Sequence, residues 1–386
     1  MNLQVVPRRR VFSCRLFVPL IALALLCAAL AAPSLALAAE PGETDPARAY
    51  SEWPDDEFFV AQPELAPGGV SRFSIFEYNS DGKTLEEEDG IDYTGKNILD
   101  VVAVTAGRFL VNTHDSVLYA YRDDETTAGF LNFYRPPTLN TYKKVASLID
   151  LVPRVAGGVD FIDLASGDLD GELDANGEYR DEAVVAWAQK SADNKLPVSI
   201  SVLAFGGATE ASPLPTTPTT AVAPGELDAA AIIAGDIKPV DNALALAVGD
   251  FNGDGVKEIA VAYLTSPTTL NIDIYQYSVA LVNHVLQRSL TRVGGTTVTL
   301  ANNYKWNESL TLAAGDFDGA VDPSTGVRRD ELALGTSERV ILSPTSHQQD
   351  VRMRLFRFTC TDGVGCTTSP NLTVTPAGPY DLPDAL

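Results

Sequence analysis

Oxygen-bearing side chains recur at alternate positions between two apolar runs of this sequence. In Gly249-Asp250-Phe251-Asn252-Gly253-Asp254-Gly255-Val256-Lys257-Glu258, the residues Asp250, Asn252, Asp254 and Glu258 stand at positions 1, 3, 5 and 9 of a nine-residue loop. Val256, at position 7, offers only its backbone carbonyl. A tight loop with this alternation turns successive oxygens toward one point, and calcium is a hard cation that gathers about six to eight oxygens. Gly255 at position 6 permits the positive φ needed to reverse the chain. An Asp/Asn/Gly-rich turn also forms without metal, but four oxygens in register favour calcium.

The loop recurs. Ser166-Gly167-Asp168-Leu169-Asp170-Gly171 leads, after an insertion, to Asp181-Glu182-Ala183-Val184. Ala314-Gly315-Asp316-Phe317-Asp318-Gly319 leads to Asp330-Glu331-Leu332-Ala333. A worn copy, Ala106-Gly107-Arg108-Phe109, precedes His114-Asp115-Ser116-Val117. The landmark glycines 107, 167, 249 and 315 are 60, 82 and 66 residues apart. A strand-rich unit repeating on this scale predicts propeller blades or a related array.

The string Gly-Asp-Phe-Asn-Gly-Asp-Gly-Val-Lys-Glu-Ile-Ala-Val, residues 249–261, resembles the FG-GAP/VCBS repeat of integrin-α-like β-propellers, and the resemblance extends over about residues 95–360. It implies an all-β fold, a β-propeller of four-stranded blades, with Ca2+ in the acidic loops. It also implies that the small-residue runs Ala243–Val248 and Leu310–Ala314 are innermost strands, crowded near an axis. It does not specify a ligand.

In the two inserted loops, Asp168 to Glu182 spans 15 residues and Asp316 to Glu331 spans 16. Their candidate ligands are Asp168, Asp170, Asp174, Asn176 and Glu182 in one, and Asp316, Asp318, Asp322 and Glu331 in the other. Asp174, Asn176, Glu178 and Glu182 offer a second alternating register. In the worn copy Arg108 replaces the first ligand, so no metal is expected there and a guanidinium can stand in for the ion.

Short runs rich in β-branched and aromatic residues, bounded by turn residues, read as strands. They include Val70–Tyr78, Ile98–Val104, Val117–Tyr121, Phe130–Tyr134, Ala183–Trp187 and Val198–Phe205. Beyond the third landmark come Ile259–Tyr263, Leu270–Tyr277, Thr296–Leu300, Leu332–Leu334, Val340–Leu342 and Met353–Phe358. No window has a helical period. The blades occupy residues 70–386, and Ala208–Glu226, with four prolines, reads as an exposed excursion between two of them. Residues 39–69, rich in Pro, Glu and Asp, read as a loosely ordered segment.

Residues 1–38 carry Arg8, Arg9, Arg10 and Arg15, an apolar run from Leu16 to Ala32, and the small-x-small site Ala36-Leu37-Ala38. This is the pattern of a secretory signal peptide, placing the mature chain outside the cell, on its surface or in a periplasm. Its removal takes away four Arg and no acid, so the formal charge goes from −23 to −27. Such a surface disfavours nucleic acid and anionic membranes as partners. The mature chain keeps Cys360 and Cys366, which an oxidising compartment would close into a small disulfide ring.

No catalytic constellation stands out. His114, His284 and His347 lie far apart, and no nucleophile elbow or phosphate loop is present. The residues thus favour an exported calcium-binding scaffold for a protein or carbohydrate ligand. A secreted carbohydrate-active enzyme, or the propeller part of one, is the alternative. The terminal Pro379-Tyr380-Asp381-Leu382-Pro383-Asp384-Ala385-Leu386 resembles Pro239–Leu246, which precedes the Asp250 loop. This predicts a further repeat beyond Leu386.

Overall fold

The computed structural model describes residues 57–62, 71–79, 84–93, 98–109, 116–123, 129–138, 141–144, 149–150, 159–173, 177, 179–189, 195–205, 219–227, 243–300, 304–319, 321, 326, 328–343, 346–360 and 372–381. All regular structure among them is β. The strands β1 (Glu57–Gln62), β2 (Ser71–Asn79) and β3 (Thr84–Tyr93) form a three-stranded sheet. β1 lies in the segment that the composition marks as loosely ordered; its alternating Phe58 and Val60 register against Phe76 and Ser74 of β2.

Antiparallel meanders follow in chain order. The first holds β4 (Ile98–Gly107), β5 (Ser116–Asp123), β6 (Gly129–Thr138) and β7 (Thr141–Lys144), with the short β8 (Ile149–Asp150) also on β6. The second holds β9 (Val159–Gly167), β10 (Glu182–Gln189), β11 (Leu196–Leu203) and β12 (Thr219–Leu227). The third holds β13 (Leu244–Gly249), β14 (Glu258–Ser266), β15 (Thr269–Val282) and β16 (Val285–Thr299). The fourth holds β17 (Tyr304–Gly315), β18 (Glu331–Ser343), β19 (Ser346–Cys360) and β20 (Leu372–Asp381). A single parallel pair, Gly294 with Leu372, links these last two meanders into an eight-stranded sheet.

The first strands of the meanders lie side by side, β4 against β9, β9 against β13 and β13 against β17. Four-stranded meanders stacked through their first strands are blades of a β-propeller. Small side chains make this approach possible: Ala243, Ala245 and Ala247 are buried around β13. Blades also explain why β10 reads as an unbroken apolar run. Ala183, Val185 and Trp187 belong to a core shared with Ala103 and Leu118 of the first blade. The alternate residues Val184, Ala186 and Ala188 belong to the core shared with the third. A strand buried on both faces has no polar alternation to show.

Polar ties cross between the innermost strands as well. Ser166 Oγ donates to the Ala106 carbonyl at 2.5 Å and meets Thr105 Oγ1 at 2.8 Å. The buried Asp163 accepts from the Leu246 N–H at 2.6 Å with one oxygen and from Leu164 N–H at 2.9 Å with the other.

Three details differ from the sequence reading. Thr219–Leu227, which overlaps the end of the region Ala208–Glu226 read as an exposed excursion, is β12, paired with β11 from Leu196↔Leu227 to Val202↔Thr219. It is the outermost strand of its blade, with Thr220, Val222 and Pro224 exposed and Ala223 and Leu227 buried, and an edge is where a strand tolerates Pro224. Leu332–Leu334 and Val340–Leu342 are one strand, β18. The intervening Glu338 is fully buried, and Arg354 Nη1 reaches it at 2.5 Å, so an ion pair interrupts the apolar pattern without ending the strand. Thr296–Leu300 ends at the close of the 15-residue β16, whose exposed first half carries no buried stripe to read.

Candidate metal centres

Each acidic loop joins the first strand of a blade to the second, and the hairpin register puts landmark glycine opposite acid. Gly167 pairs with Glu182, Gly249 with Glu258 and Gly315 with Glu331. The insertions in the first and last loops therefore change the length but not the constellation. At their bases stand the isolated bridges Leu173↔Tyr179 and Val321↔Arg328. In the worn loop the residue opposite Gly107 is Ser116, so the second-strand carboxylate is missing as well as the first.

One hydrogen-bond pattern recurs in the three acidic loops. The first aspartate accepts from the N–H of the glycine three residues on: Gly171 to Asp168 at 2.8 Å, Gly253 to Asp250 at 2.7 Å, Gly319 to Asp316 at 2.7 Å. Those glycines have φ of 65°, 80° and 63°, in the left-handed region that suits glycine. Gly255, at φ 90°, is a second such turn in the uninserted loop. The glutamate of the next strand accepts from the N–H after the first aspartate. The pairs are Leu169 with Glu182, Phe251 with Glu258 and Phe317 with Glu331, all at 2.9 Å.

These bonds gather the carboxylates. In Asp168, Asp170 and Glu182, one oxygen from each lies within 4.8 Å of the others, and the same holds for Asp316, Asp318 and Glu331. The Asp250 loop is arranged differently. Asn252 Nδ2 donates to Asp254 Oδ2 at 3.0 Å and, very closely, to Glu258 Oε1. Its amide hydrogens thus fill the gap between two carboxylates. Asn252 Oδ1 accepts from Asp254 N–H at 2.7 Å, and Val256 N–H donates to Asp254 Oδ1 at 2.8 Å.

Gathering carboxylates out of water disfavours their charge. Burial, then the neighbouring Asp170, pushes Glu182 up to about 9. Burial, then Asp254 and Asp250, pushes Glu258 up to about 9. Burial also raises Asp168, Asp250 and Glu331. In the Asp316 loop two exposed arginines answer the charge, Arg328 at 3.3 Å from Asp316 and Arg357 at 2.6 Å from Asp318.

The loops are also tied to the next blade. The residue just before each glutamate donates its N–H to the carbonyl of the preceding blade's first loop residue. Asp181 reaches Arg108 at 3.1 Å, Lys257 reaches Asp168 at 3.0 Å and Asp330 reaches Asp250 at 2.9 Å. The aromatic landmarks cross the same seams. Phe109 packs on Phe205 with centroids 5.1 Å apart, and Phe251 stacks on Phe358 at 4.4 Å. Phe317, at the same position in the last loop, is 48% exposed.

The structure thus brings together Asp168, Asp170 and Glu182; Asp316, Asp318 and Glu331; and Asp250, Asn252, Asp254 and Glu258. Val256 faces the neighbouring loop, where a Cβ on Gly171 would come within 3.1 Å of its Cγ2. Asp174, Asn176, Asp322 and Cys366 lie outside the described residues, as does the side chain of Cys360. Sequence reasoning passed over Asp181 and Asp330. Their place immediately before the strand glutamate was the available signal. All the donors are hard oxygens, which suit calcium or magnesium rather than softer metals.

No protein-family model matches the chain, and no curated protein sequence does. Among solved structures, the fungal lectin of Aleuria aurantia, described as a six-bladed β-propeller with a novel fucose recognition mode, aligns at TM-score 0.34 and 9% identity. That alignment covers 86% of this chain and 98% of that one. An alpha-L-arabinofuranosidase from Fusarium graminearum, in complex with an iminosugar inhibitor, aligns at TM-score 0.34 and 11% identity, over 82% of this chain and 91% of that one. At such TM-scores the assignment of the fold rests on the strand topology alone.

Proposed function

We propose that this chain is an exported β-propeller scaffold of the FG-GAP/VCBS type, held in shape by calcium and presenting a binding face to a protein or carbohydrate ligand. The observation that carries the reading is the threefold recurrence of one loop geometry, first aspartate on glycine N–H and strand glutamate on the following N–H, in loops of unlike length. Turn formation alone needs no buried glutamate returning from the next strand.

The residues fit the cation. Asp168, Asp170 and Glu182 would hold one ion, and Asp316, Asp318 and Glu331 a second. Asp250, Asp254 and Glu258 would hold a third, with Asn252 turned so that Oδ1 rather than Nδ2 faces the carboxylates. A bound cation supplies positive charge where carboxylates now crowd one another. The chain's own part is to fix the loop between two strands, so that order in the loop is order in the blade. Residues 1–38 support export, and the acidic surface supports a ligand other than nucleic acid.

The test is differential scanning calorimetry of the purified chain with calcium, and again with a chelator in excess. Binding to the native state raises stability by mass action, so calcium should raise Tm and chelation should reverse the rise. Superimposable curves would overturn the reading.

A further inference from the structure

β15 and β16 run well past the blade they belong to. β14 pairs with β15 only from Thr269 to Tyr275, and β20 touches β16 only at Gly294. The seven pairs from Gln276↔Thr291 to Val282↔Val285 therefore form a two-stranded ribbon about 23 Å long at about 3.3 Å per residue. It closes through Asn283 and His284, both at positive φ (52° and 65°), the turn that matches strand twist.

The ribbon's chemistry is unlike that of the remaining chain. One face carries Tyr277, Val279, Leu281, Leu286 and Leu290, with Arg288 among them opposite Val279, a mainly apolar stripe that starts in the core and ends in solvent, where Leu281 is 67% and Leu286 50% exposed. Val282 and Val285, at the tip, are 39% and 61% exposed. From Ile274 to Asn307 there is no Asp or Glu, in a chain with 51 acids and 28 Lys plus Arg. Between Gln276 and Thr291 the one residue among Asp, Glu, Lys and Arg is Arg288. Both long edges lack partners among the described strands and lack the lysines and prolines that usually blunt an edge.

We propose that the ribbon pairs with the same ribbon of a second copy of this chain. Two bodies of charge −23 repel wherever acid meets acid. The ribbon is the acid-free projection through which they can touch while the acidic blades stay apart. An antiparallel, two-fold pairing of identical edges satisfies the free backbone groups of both, aligns the two apolar stripes and closes on itself as a dimer. Two seven-pair ribbons make a small contact of the kind seen in transient association, and dimerisation is expected in the micromolar range.

Sedimentation velocity on the purified chain tests this. The mass should rise from one copy to two across the micromolar range, more readily at higher salt, which screens the blades' repulsion. Leu281→Glu with Leu286→Glu should remain a single copy with an unchanged melting curve. If that pair disturbs folding, a ribbon shortened by replacing residues 279–288 with Asn-Gly serves the same purpose. A wild-type chain that stays single at every concentration, or a dimer that survives both changes, overturns the proposal. So does co-flotation of a single-copy chain with phosphatidylcholine vesicles, which would assign the ribbon to lipid.

Discussion

Asp250 and Asp330 hold each other across the seam between two blades. The Asp250 N–H donates to Asp330 Oδ2 at 2.9 Å, and the Asp330 N–H donates to the Asp250 carbonyl at 2.9 Å. Arg108 and Asp181 repeat the exchange two seams earlier, at 2.8 and 3.1 Å. At the middle seam Lys257 keeps only the backbone half, toward Asp168. The first residue of a loop is thus positioned by the residue next to the following loop's glutamate.

Removing the side-chain half should be costly at the outer seams and cheap at the middle one. Asp330→Ala and Asp181→Ala each strip the acceptor from a partly buried N–H and should cost about 1–3 kcal/mol of unfolding free energy. Lys257→Ala should cost less than either. Chemical denaturation of the three variants orders them.

The glycines at the seams make a steric prediction. A Cβ on Gly249 would come within 2.7 Å of Ala314 Cβ and 3.0 Å of Asp330 Oδ2, whereas one on Gly315 meets nothing nearer than Phe317 at 3.7 Å. Gly249→Ala should destabilise by about 1–3 kcal/mol through overpacking. Gly315→Ala should change stability by no more than about 0.5 kcal/mol.

The raised glutamates set a pH dependence for the calcium-free chain. Glu182 and Glu258 titrate near 9 when folded, against 4.5 for a free glutamate. The folded state therefore keeps protons that the unfolded chain gives up, and stability falls as pH rises through that window. It is full below about pH 4.5 and lost progressively toward pH 9 as far as these two groups decide it. Thermal melts of the chelated chain should show Tm falling from pH 5 to 9, with calcium flattening the decline. A Tm that rises over that range without calcium contradicts the burial of these carboxyls.

Much of this architecture was legible in the sequence. Alternating oxygens at Asp250, Asn252 and Asp254 marked the loop, and the landmark glycines fixed where each first strand ends. The strand glutamate was legible too, even across the insertions, because Asp181-Glu182 and Asp330-Glu331 repeat the acid-before-apolar-run pattern. Other features were hidden for physical reasons. β12 is an edge strand whose exposure lets it carry Thr and Pro, so its composition is that of a loop. The outer part of the ribbon, from Leu281 to Leu286, is exposed, so no buried stripe reveals its full length. The seam between Asp250 and Asp330 joins residues 80 apart, and half of it is backbone, which no side-chain pattern encodes.

Glu258→Gln separates the structural from the metal-binding role of one atom. The amide keeps the shape and a carbonyl oxygen for the Phe251 N–H, but it loses a charge that burial disfavours. At pH 8 the calcium-free variant should therefore be at least as stable as wild type, while its gain from calcium shrinks.

The most direct test of the calcium assignment is isothermal titration of the decalcified chain with calcium, alongside Asp168→Ala, Glu258→Gln and Asp316→Ala. Saturable binding should be seen in the wild type, and each substitution should remove about one site, since a cation that loses a carboxylate from so small a set of oxygens loses much of its affinity. A wild-type chain that takes up no calcium, or one whose stoichiometry is unchanged in all three variants, would contradict it.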